Sequence, residues 1–243
     1  MRIVKVSATA STNTYLREFC RGAHCREEVL LWTDHQFAGR GQRGAFWESE
    51  PFKNLTFSVF KQVRLLSVDK QFYITMAASL AISEWLESLG LKRIRVKWPN
   101  DILAGNRKIC GILIERVIKN GALEAIIIGV GLNVNQTNFK KAPRATSIQL
   151  ETGFQHDLEM LIKDIHKLFD RYVNLITQGD FDQIKADYEA KLYKKNKIAL
   201  FSDGEQTKFN GMIKGVSNEG ELILQREDDS IATYRHKELK MHY

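Results

Sequence analysis

A glycine-rich segment between two apolar runs is the feature that most constrains the fold of this chain. Residues 39–44 read Gly-Arg-Gly-Gln-Arg-Gly and match G-x-G-x-x-G, a pattern that follows a strand and opens a helix in dinucleotide-binding folds. Residues 29–33 fit a buried strand, but the glycines lead through a turn into a second β-rich run at residues 55–60. The segment therefore predicts a loop between two strands and argues against a Rossmann unit.

Arg40 and Arg43 give this loop two interpretations. Backbone N–H groups and two guanidinium groups can bind a phosphate or a carboxylate. The same residues also suit an exposed basic hairpin loop that binds nothing. The loop by itself leaves both interpretations open.

Composition indicates a globular protein and leaves the partner open. The chain has 243 residues, of which 44% are hydrophobic and 27% are charged, which suits one large domain or a large domain with a small one. The formal charge of +7 suits nucleic acid, ATP or an acidic protein. Because the basic residues are scattered along the chain, charge does not choose among these partners.

The cysteines and the N-terminus predict a soluble cytoplasmic protein. Cys20, Cys25 and Cys110 are odd in number and lack framework spacing, which favours reduced packing thiols over a metal site that would include His24. The N-terminus lacks the apolar region of a signal peptide, and the longest apolar run, residues 125–128, is too short to span a bilayer.

Hydrophobic periodicity predicts a mixed α and β part followed by a small all-β part. From about Asn196, short strands alternate with turns, which is typical of a small barrel. The expected strands are residues 3–6, 29–33, 55–60, 94–98, 109–117 and 123–134; the expected helices run from Ser11 or Thr12 to Gly22, from Ser67 or Asp69 to Gly90, from Asp157 to Gly179, and onward from Asp180.

Three glycines interrupt adjacent predicted strands. Gly111, Gly129 and Gly131 each stand inside an apolar run near polar residues. A glycine inside a strand marks either a bulge or a close approach of a ligand to the backbone. Strands that all break their pattern in this way suggest one shared site.

Five motifs in order resemble those of the biotin–protein ligases, and the match covers the whole chain. The motifs are Ser11-Thr12-Asn13, residues 39–44 with Trp47, Lys97-Trp98-Pro99-Asn100-Asp101, Lys108 with residues 111–115, and residues 129–135. The resemblance implies an α+β fold. Residues 1–194 would form a catalytic domain similar to class II aminoacyl-tRNA synthetases, with a mixed, largely antiparallel sheet, and residues 195–243 an SH3-like β-barrel.

The family's reaction follows from the same resemblance. Biotin and ATP, with Mg²⁺, would give biotinyl-5′-adenylate, and a lysine of a biotin carboxyl carrier protein domain would take the biotinyl group. No helix-turn-helix pattern precedes Ser11, so we expect the monofunctional type without DNA binding. The edge of such a sheet also allows a homodimer, which the sequence leaves open, and no membrane partner is expected.

Joining a carboxylate to a phosphate brings two anions together, so such a site needs fixed cations. The resemblance implies that Lys108, Arg40, Arg43 and Lys97 supply them, with Lys108 bridging the biotin carboxylate and the α-phosphate. The residues that would bind biotin are Ser11, Thr12, Asn13, Gln36, Gly39, Arg40, Gly41, Lys108, Gly111, Gly129 and Gly131.

The nucleotide and metal assignments come from the resemblance as well. Arg43, Trp47, Asn100, Lys108 and Asn133 would bind ATP, with Trp47 covering the adenine and Asn133 reading its edge. Asp101 would contact Mg²⁺, since that ion prefers oxygen ligands.

The chain departs from the family at two places. Gln42 replaces an arginine found in several relatives, and residues 236–239 replace the usual glycine-glutamate turn.

Two other functions compete with the biotin ligase. A lipoate or octanoate ligase of the same superfamily is disfavoured by the Gly-Arg loop combined with residues 97–101. A nucleic-acid-binding module would use the positive charge and the C-terminal barrel. It is disfavoured because the barrel sequence has no clusters of aromatic and basic residues.

Overall fold

Two β-sheets organise the chain in the computed structural model, which describes residues 1–242 apart from 22–24, 26, 64–66, 68–69, 120–121 and 205. The main sheet has the strand order β1-β2-β3-β7-β6-β5-β4. Its strands are β1 Arg2–Thr9, β2 Val29–Gln36, β3 Asn54–Gln62, β4 Ile94–Lys97, β5 Asp101–Ala104, β6 Arg107–Lys119 and β7 Ala122–Asn133. The β1–β2 pair is parallel and the other neighbours are antiparallel, so the sheet is mixed.

Helices cover both faces of the main sheet because its central strands are apolar on both sides. The helices are α1 Thr12–Phe19, α2 Phe72–Ser88, α3 Ile148–Thr152, α4 Leu158–Gln178 and α5 Phe181–Ala190. On one face α2 and α4 bury the large core, where the Phe57 and Phe169 rings meet edge to face with centroids 5.9 Å apart. On the other face Leu16 of α1 packs on Leu31, Phe60 and Ile127. The functional residues lie on the α1 face.

The ends of the helices test the capping predictions. Asp157 caps α4, because its Oδ1 accepts hydrogen bonds from the backbone N–H of Glu159 at 2.7 Å and of Met160 at 3.2 Å. Gly179 ends α4 with a φ of 85°, as predicted. Ser11 and Asp180 stand at N-cap positions, but neither side chain makes a capping hydrogen bond.

Three further details differ from the sequence prediction. The helix α2 begins at Phe72 with Gln71 at its cap position, so Ser67 does not cap it, while Asp69 and Gly22 lie outside the described residues. The strand β5 and the helix α3 were not predicted, because segments of four and five residues carry too little periodicity.

The second sheet is fully antiparallel and has the strand order β11-β10-β9-β8-β12. Its strands are β8 Ile198–Asp203, β9 Lys208–Val216, β10 Leu222–Arg226, β11 Ile231–Tyr234 and β12 Leu239–His242. The turn between β9 and β10 docks on the main layer: the Trp98 indole N–H donates to the Gly220 carbonyl oxygen at 2.9 Å. Any Cβ at Gly220 would lie 2.2 Å from the Phe72 ring. Close packing therefore fixes the second sheet beside the first.

The prediction of reduced thiols is wrong for two of the three cysteines. Cys20, directly after α1, and the buried Cys25, just before β2, form a disulfide with a Cα–Cα distance of 4.9 Å. The odd number of cysteines concealed the pair, because Cys110 is the third and is buried and free. His24 lies outside the described residues. In the part of the chain that the structure describes, no helix has the length and apolar character needed to cross a membrane.

Candidate active site

A cavity of about 260 Å³ opens on the α1 face of the main sheet. It brings together most of the predicted site residues from five parts of the chain: Ser11, Thr12, Asn13, Gln36, Arg40, Gly41, Trp47, Asn100, Asp101, Lys108, Gly111, Gly129 and Gly131. Asn133 and Lys97 line two neighbouring cavities. The backbone of Arg43 lies in a short 3₁₀ turn, Gln42–Gly44, but its side chain is not among the described ones.

Hydrogen-bonded polar side chains form one end of the cavity. Gln36 Oε1 accepts the Thr12 backbone N–H at 2.9 Å and lies 3.3 Å from Thr12 Oγ1. Ser58 donates its hydroxyl to Asn13 Oδ1 at 2.6 Å and lies 2.8 Å from Thr12 Oγ1. All four side chains are buried. The network holds amides and hydroxyls in fixed orientations, as recognition of a polar ring requires.

Ser58 belongs to this network, was missed by the sequence prediction, and positions Thr12 and Asn13 without being one of the residues that line the cavity. It lies in the middle of β3, pairs with Gly129 across the sheet and is fully buried. The available signal was the alternation of small polar and apolar residues within residues 55–60, where Thr56 and Ser58 are the polar members. The position of Ser58 on the α1 face follows from the alternation of side chains along a strand.

The glycines of the sheet make room for other side chains. A Cβ at Gly129 would lie 2.3 Å from Asn13 Oδ1, and one at Gly131 would lie 2.4 Å from Trp47 Cε2. The β6–β7 pairing shifts register between Val117 and Ile118, away from these glycines. Gly129 and Gly131 thus accommodate the Asn13 and Trp47 side chains and do not mark a register shift of β6 against β7, while the predicted approach of a ligand to the backbone stays a prediction.

Trp47 stands between this cavity and a second one of about 560 Å³. Its backbone N–H donates to the Gly39 carbonyl oxygen at 3.0 Å, which closes the base of the loop. Its indole Nε1 is buried and finds no hydrogen-bond partner within the described residues. The indole N–H is therefore a hydrogen-bond donor without a partner among those residues, on a ring that lines both cavities. Each of the two cavities could hold one substrate.

Asn133 lines the second cavity from the end of β7. Its Nδ2 donates to the Thr146 carbonyl oxygen at 2.9 Å, which fixes the orientation of the amide. Its Oδ1 is buried and has no partner among the residues that the structure describes. The side chain therefore offers an oriented acceptor, which the amino edge of a base could satisfy.

Charged groups concentrate where β5 pairs with β6. Lys108 Nζ lies 2.6 Å from Asp101 Oδ1 and 5.3 Å from the Trp47 ring centroid. Burial lowers the pKa of Lys97, the charges of Lys108 and Arg144 lower it further, and the Asp101 carboxylate opposes them. The backbone of this turn is fixed by Asn100, whose Nδ2 donates to the Ile112 carbonyl oxygen at 2.6 Å.

Arg40 extends the positive charge toward α1. Its guanidinium donates to the hydroxyl of Thr14. The backbone of Arg40 bridges to Phe46, which closes the glycine-rich segment on itself. The loop thereby places one guanidinium at the entrance of the cavity, as an anion-binding loop requires.

The donor set allows a magnesium ion bound through one carboxylate. Asp101 is the only acidic side chain among the described residues that line the cavity. In the described ranges of the chain, no three His, Cys, Asp or Glu side chains gather around a common point. Mg²⁺ commonly uses one or two carboxylates with substrate phosphates and water, so this arrangement fits the ion in that mode.

The second sheet contributes His236 and Lys237 to the cavity, which the sequence prediction also missed. The His236 ring meets the Trp98 ring edge to face, with centroids 5.9 Å apart. These residues reach the site only because the β9–β10 turn docks on the main layer. No local pattern in the sequence signals such a long-range contact.

Comparison with known proteins finds a matching family model and several relatives. Residues 6–133 match the model of the biotin/lipoate A/B protein ligase family. The bifunctional ligase/repressor BirA of Bacillus spizizenii is 30% identical over 209 residues, which cover 83% of this chain and 63% of that protein's length. The biotin–[acetyl-CoA-carboxylase] ligase of Mycobacterium tuberculosis is 28% identical over 229 residues, covering 90% of this chain and 81% of that one.

A solved structure shows the same fold. The biotin protein ligase from Aquifex aeolicus in complex with biotin and ATP superposes with a TM-score of 0.81 and is 23% identical, covering 99% of this chain and 98% of that one. The present chain thus has the biotin protein ligase fold, with a mixed sheet followed by an antiparallel C-terminal sheet. Because the family model spans more than half of the sequence, the chain belongs to the biotin/lipoate A/B protein ligase family.

Proposed function

We propose that this protein activates biotin with ATP and transfers it to a lysine of a biotin carboxyl carrier protein domain. One observation carries the proposal: Lys108, which forms an ion pair with Asp101, lines both a cavity with a fixed polar network and a second cavity beyond Trp47. Two spaces that meet at one cation suit two substrates that react with each other. Family membership and the names of the relatives support the same function.

In the first step a biotin carboxylate oxygen attacks the α-phosphorus of ATP, and pyrophosphate leaves. Both reactants are anions, so their approach needs cations held in place before binding. Lys108 would bridge the two anions, and Arg40, Arg43 and Lys97 would add positive charge around them. The network of Thr12, Asn13, Gln36 and Ser58 would hold the ureido ring, with Ser11 beside it.

The loop and the sheet would position the nucleotide. Trp47 would stack on the adenine, Asn133 Oδ1 would accept from its amino group, and Asn100 would support the ribose and phosphate side. Gly111, Gly129 and Gly131 leave room on the sheet for the Lys108, Asn13 and Trp47 side chains, and Gly39 and Gly41 let the loop approach closely.

Asp101 would hold Mg²⁺. When bound, the ion neutralises negative charge on the phosphates. Asp101 already forms an ion pair with Lys108, so the same carboxylate also fixes the position of the Lys108 ammonium group in the cavity.

In the second step the amine of the acceptor lysine attacks the acyl carbon, the acyl–phosphate bond breaks, and AMP leaves with the electron pair. The residues of this chain would exclude water from the adenylate and leave one path by which the acceptor lysine can enter. Trp47 and the loop at residues 39–44 cover the mixed anhydride in this proposal.

Several finer assignments belong to the same proposal. The catalytic domain, residues 1–194, would be of the class II aminoacyl-tRNA synthetase type, and residues 195–243 would form an SH3-like barrel. The acceptor would be the carrier domain of acetyl-CoA carboxylase or a similar carboxylase, with neither DNA nor a membrane as partner, and β1 at the sheet edge could pair two copies. A cytoplasmic location would expose the Cys20–Cys25 disulfide to reduction.

Incubation of the purified chain with ATP, MgCl₂, biotin and a biotin carrier domain tests the function. We expect ATP-dependent addition of one biotinyl group to the carrier, detected by intact-protein mass spectrometry. A carrier whose acceptor lysine is replaced by arginine is the control. No transfer to the intact carrier by the folded chain would reject the proposal.

A lipoate or octanoate ligase is the second candidate, because the family model covers lipoate ligases too. The hydrogen-bonded network around Asn13 favours biotin, since a dithiolane or an alkyl chain has no polar ring to use it. Calorimetric titration with biotin and with lipoate decides between them. Tighter binding of lipoate would reverse the assignment.

A further inference from the structure

Two irregular segments of the chain face each other across the second cavity. One is residues 46–48, which follow the glycine-rich loop, and the other lies within residues 139–145, which follow β7. Neither segment belongs to a helix or a strand of the fold. The width of the cavity between them therefore depends on the contacts that join the two segments.

Glu48 joins the segments through both of its carboxylate oxygens. Its Oε1 accepts the backbone N–H of Lys140 at 3.0 Å, and its Oε2 accepts that of Lys141 at 2.8 Å. A hydrogen bond to a carboxylate is roughly twice as strong as one between neutral groups, and two bonds to one planar group also fix its orientation. The carboxylate thus holds the backbone at residues 140–141 at a set distance from Trp47, the residue before Glu48.

A second contact spans the same gap. The Lys141 ammonium group lies 4.7 Å from the centroid of the Phe46 ring, which is within the range of a cation–π interaction. Lys141 is therefore held twice by the opposite segment, through its backbone by Glu48 and through its side chain by Phe46.

The two ends of the segment after β7 are anchored independently of Glu48. Before it, the buried Gln136 accepts from Asn54 Nδ2 at 2.5 Å and donates to the Asn138 carbonyl oxygen at 2.7 Å. At its other end, the Arg144 carbonyl oxygen accepts the backbone N–H of Lys108 at 2.8 Å. The glutamate contacts the middle of the segment, between these two anchors.

The sign of its charge argues against Glu48 as a direct contact of the nucleotide. A carboxylate beside a bound polyanion repels that ligand. Both oxygens of Glu48 are instead engaged by backbone N–H groups of the opposite segment. The contacts of this acidic side chain are thus those of a residue that acts through the wall of the cavity.

We propose that Glu48 is a positioning residue, which sets the width of the nucleotide cavity by holding the middle of residues 139–145 against the segment that carries Trp47. The inference rests on the proposed function, which assigns a nucleotide to this cavity. Glu48 lines the second cavity and is not among the residues that line the first. Two walls that are joined before the nucleotide arrives lose less conformational entropy when it binds.

Hydrogen exchange of the full chain without ligand, followed by NMR, tests the contact itself. We expect the amide protons of Lys140 and Lys141 to exchange at least tenfold faster in Glu48→Ala, because their acceptor is lost. Glu48→Gln keeps the shape and one acceptor oxygen, so its effect should be smaller. Glu50→Gln is the matched control, since it removes the same charge from the same segment and keeps the backbone N–H that donates to Gln136. Equal exchange rates in all four proteins would overturn the proposal.

Binding and kinetics test the positioning role. We expect Glu48→Ala to bind a non-hydrolysable ATP analogue at least fivefold more weakly in calorimetry, with biotin affinity within twofold of the parent chain. In the carrier assay the KM for ATP should rise by a similar factor while kcat changes less than twofold. Glu50→Gln should match the parent chain in each measurement. Equal losses for the analogue and for biotin would indicate general loosening and would overturn the positioning role.

The failure of this inference and the failure of the proposed function give different results. A parent chain that binds the analogue, together with a Glu48→Ala variant that binds it equally well, would reject the role of Glu48 alone. A parent chain that binds no nucleotide would reject the proposed function and the role of Glu48 in it. Faster exchange at Lys140 and Lys141 in Glu48→Ala would then still establish the contact between the two segments.

Discussion

The indole of Trp47 lies on Gly131 so closely that a Cβ at this glycine would stand 2.4 Å from the ring. No real Cβ contact is this short, so the absence of a side chain at Gly131 decides where the tryptophan can lie. Gly131 is on β7 and Trp47 is on the β2–β3 loop, so one glycine couples the loop to the sheet.

Gly131→Ala should displace the indole and impair nucleotide binding. We expect kcat/KM for ATP to fall at least tenfold, because the displaced indole would no longer lie where the adenine is proposed to stack. Gly204→Ala is the control, since a Cβ there meets no atom within 4 Å. Unchanged kinetics for ATP would show that the contact between Trp47 and Gly131 has no functional role.

Ser58→Ala should weaken biotin binding. The variant leaves Asn13 Oδ1 without its donor, so we expect about 1 kcal/mol less stability and roughly a tenfold higher Kd for biotin. Ser83→Ala is the comparison, because Ser83 is equally buried on α2 and its hydroxyl has no partner among the described residues. Denaturant unfolding and calorimetry measure the two effects. A Ser58→Ala protein that binds biotin normally would show that Ser58 has no positioning role.

Lys97 should titrate below the ordinary lysine range in the folded protein. Burial lowers its pKa, and the charges of Lys108 and Arg144 contribute further. NMR of isotopically methylated lysines measures this pKa from the pH dependence of the Lys97 signal. We expect Lys108→Gln to raise the pKa of Lys97 and Asp101→Asn to lower it. A Lys97 pKa that is the same in both variants and in the parent chain would contradict the proposed electrostatic coupling.

The lowered pKa also predicts a pH dependence of stability. Between the folded pKa of Lys97 and the unfolded value of 10.5, the unfolded chain binds more protons than the folded one. The contribution of this residue to the free energy of unfolding therefore rises with pH across that window and is a constant penalty below it. Lys97→Met should be more stable than the parent chain at neutral pH, and the difference should shrink as the pH approaches 10.5. A difference that does not vary with pH would be inconsistent with this linkage.

The fold was predictable wherever a long element carried its own pattern. Hydrophobic periodicity and end signals in the sequence predicted the strands around residues 29–33, 55–60 and 123–134. They also predicted the helix from Asp157 to Gly179. The site residues were found through motifs, and the structure gathers most of them in one cavity. Their roles remain predictions.

Contacts that depend on tertiary docking could not be found in this way. His236 and Lys237 reach the cavity only after the second sheet packs on Trp98 and Phe72. Ser58 joins the polar network only when β3 presents its α1 face to Asn13. The Cys20–Cys25 pair requires the end of α1 to return beside the start of β2. Each of these contacts joins elements whose relative position no local pattern encodes.

The number of reactive thiols tests whether Cys20 and Cys25 form a disulfide. Protein denatured without reductant should show one reactive thiol, that of Cys110, and three after reduction. Closing so short a loop stabilises the folded chain by about 2 kcal/mol on the chain-entropy model, so Cys20→Ser should lower the free energy of unfolding by about that amount under oxidising conditions. Cys110→Ser is not a suitable control, because that thiol is buried; the matched comparison is the parent chain kept in reductant, which should have the stability of Cys20→Ser. Three reactive thiols in unreduced protein would show that the pair is open. The polar network at the other end of α1 would then be held without the cross-link, through the hydrogen bonds of Thr12 and Asn13 alone.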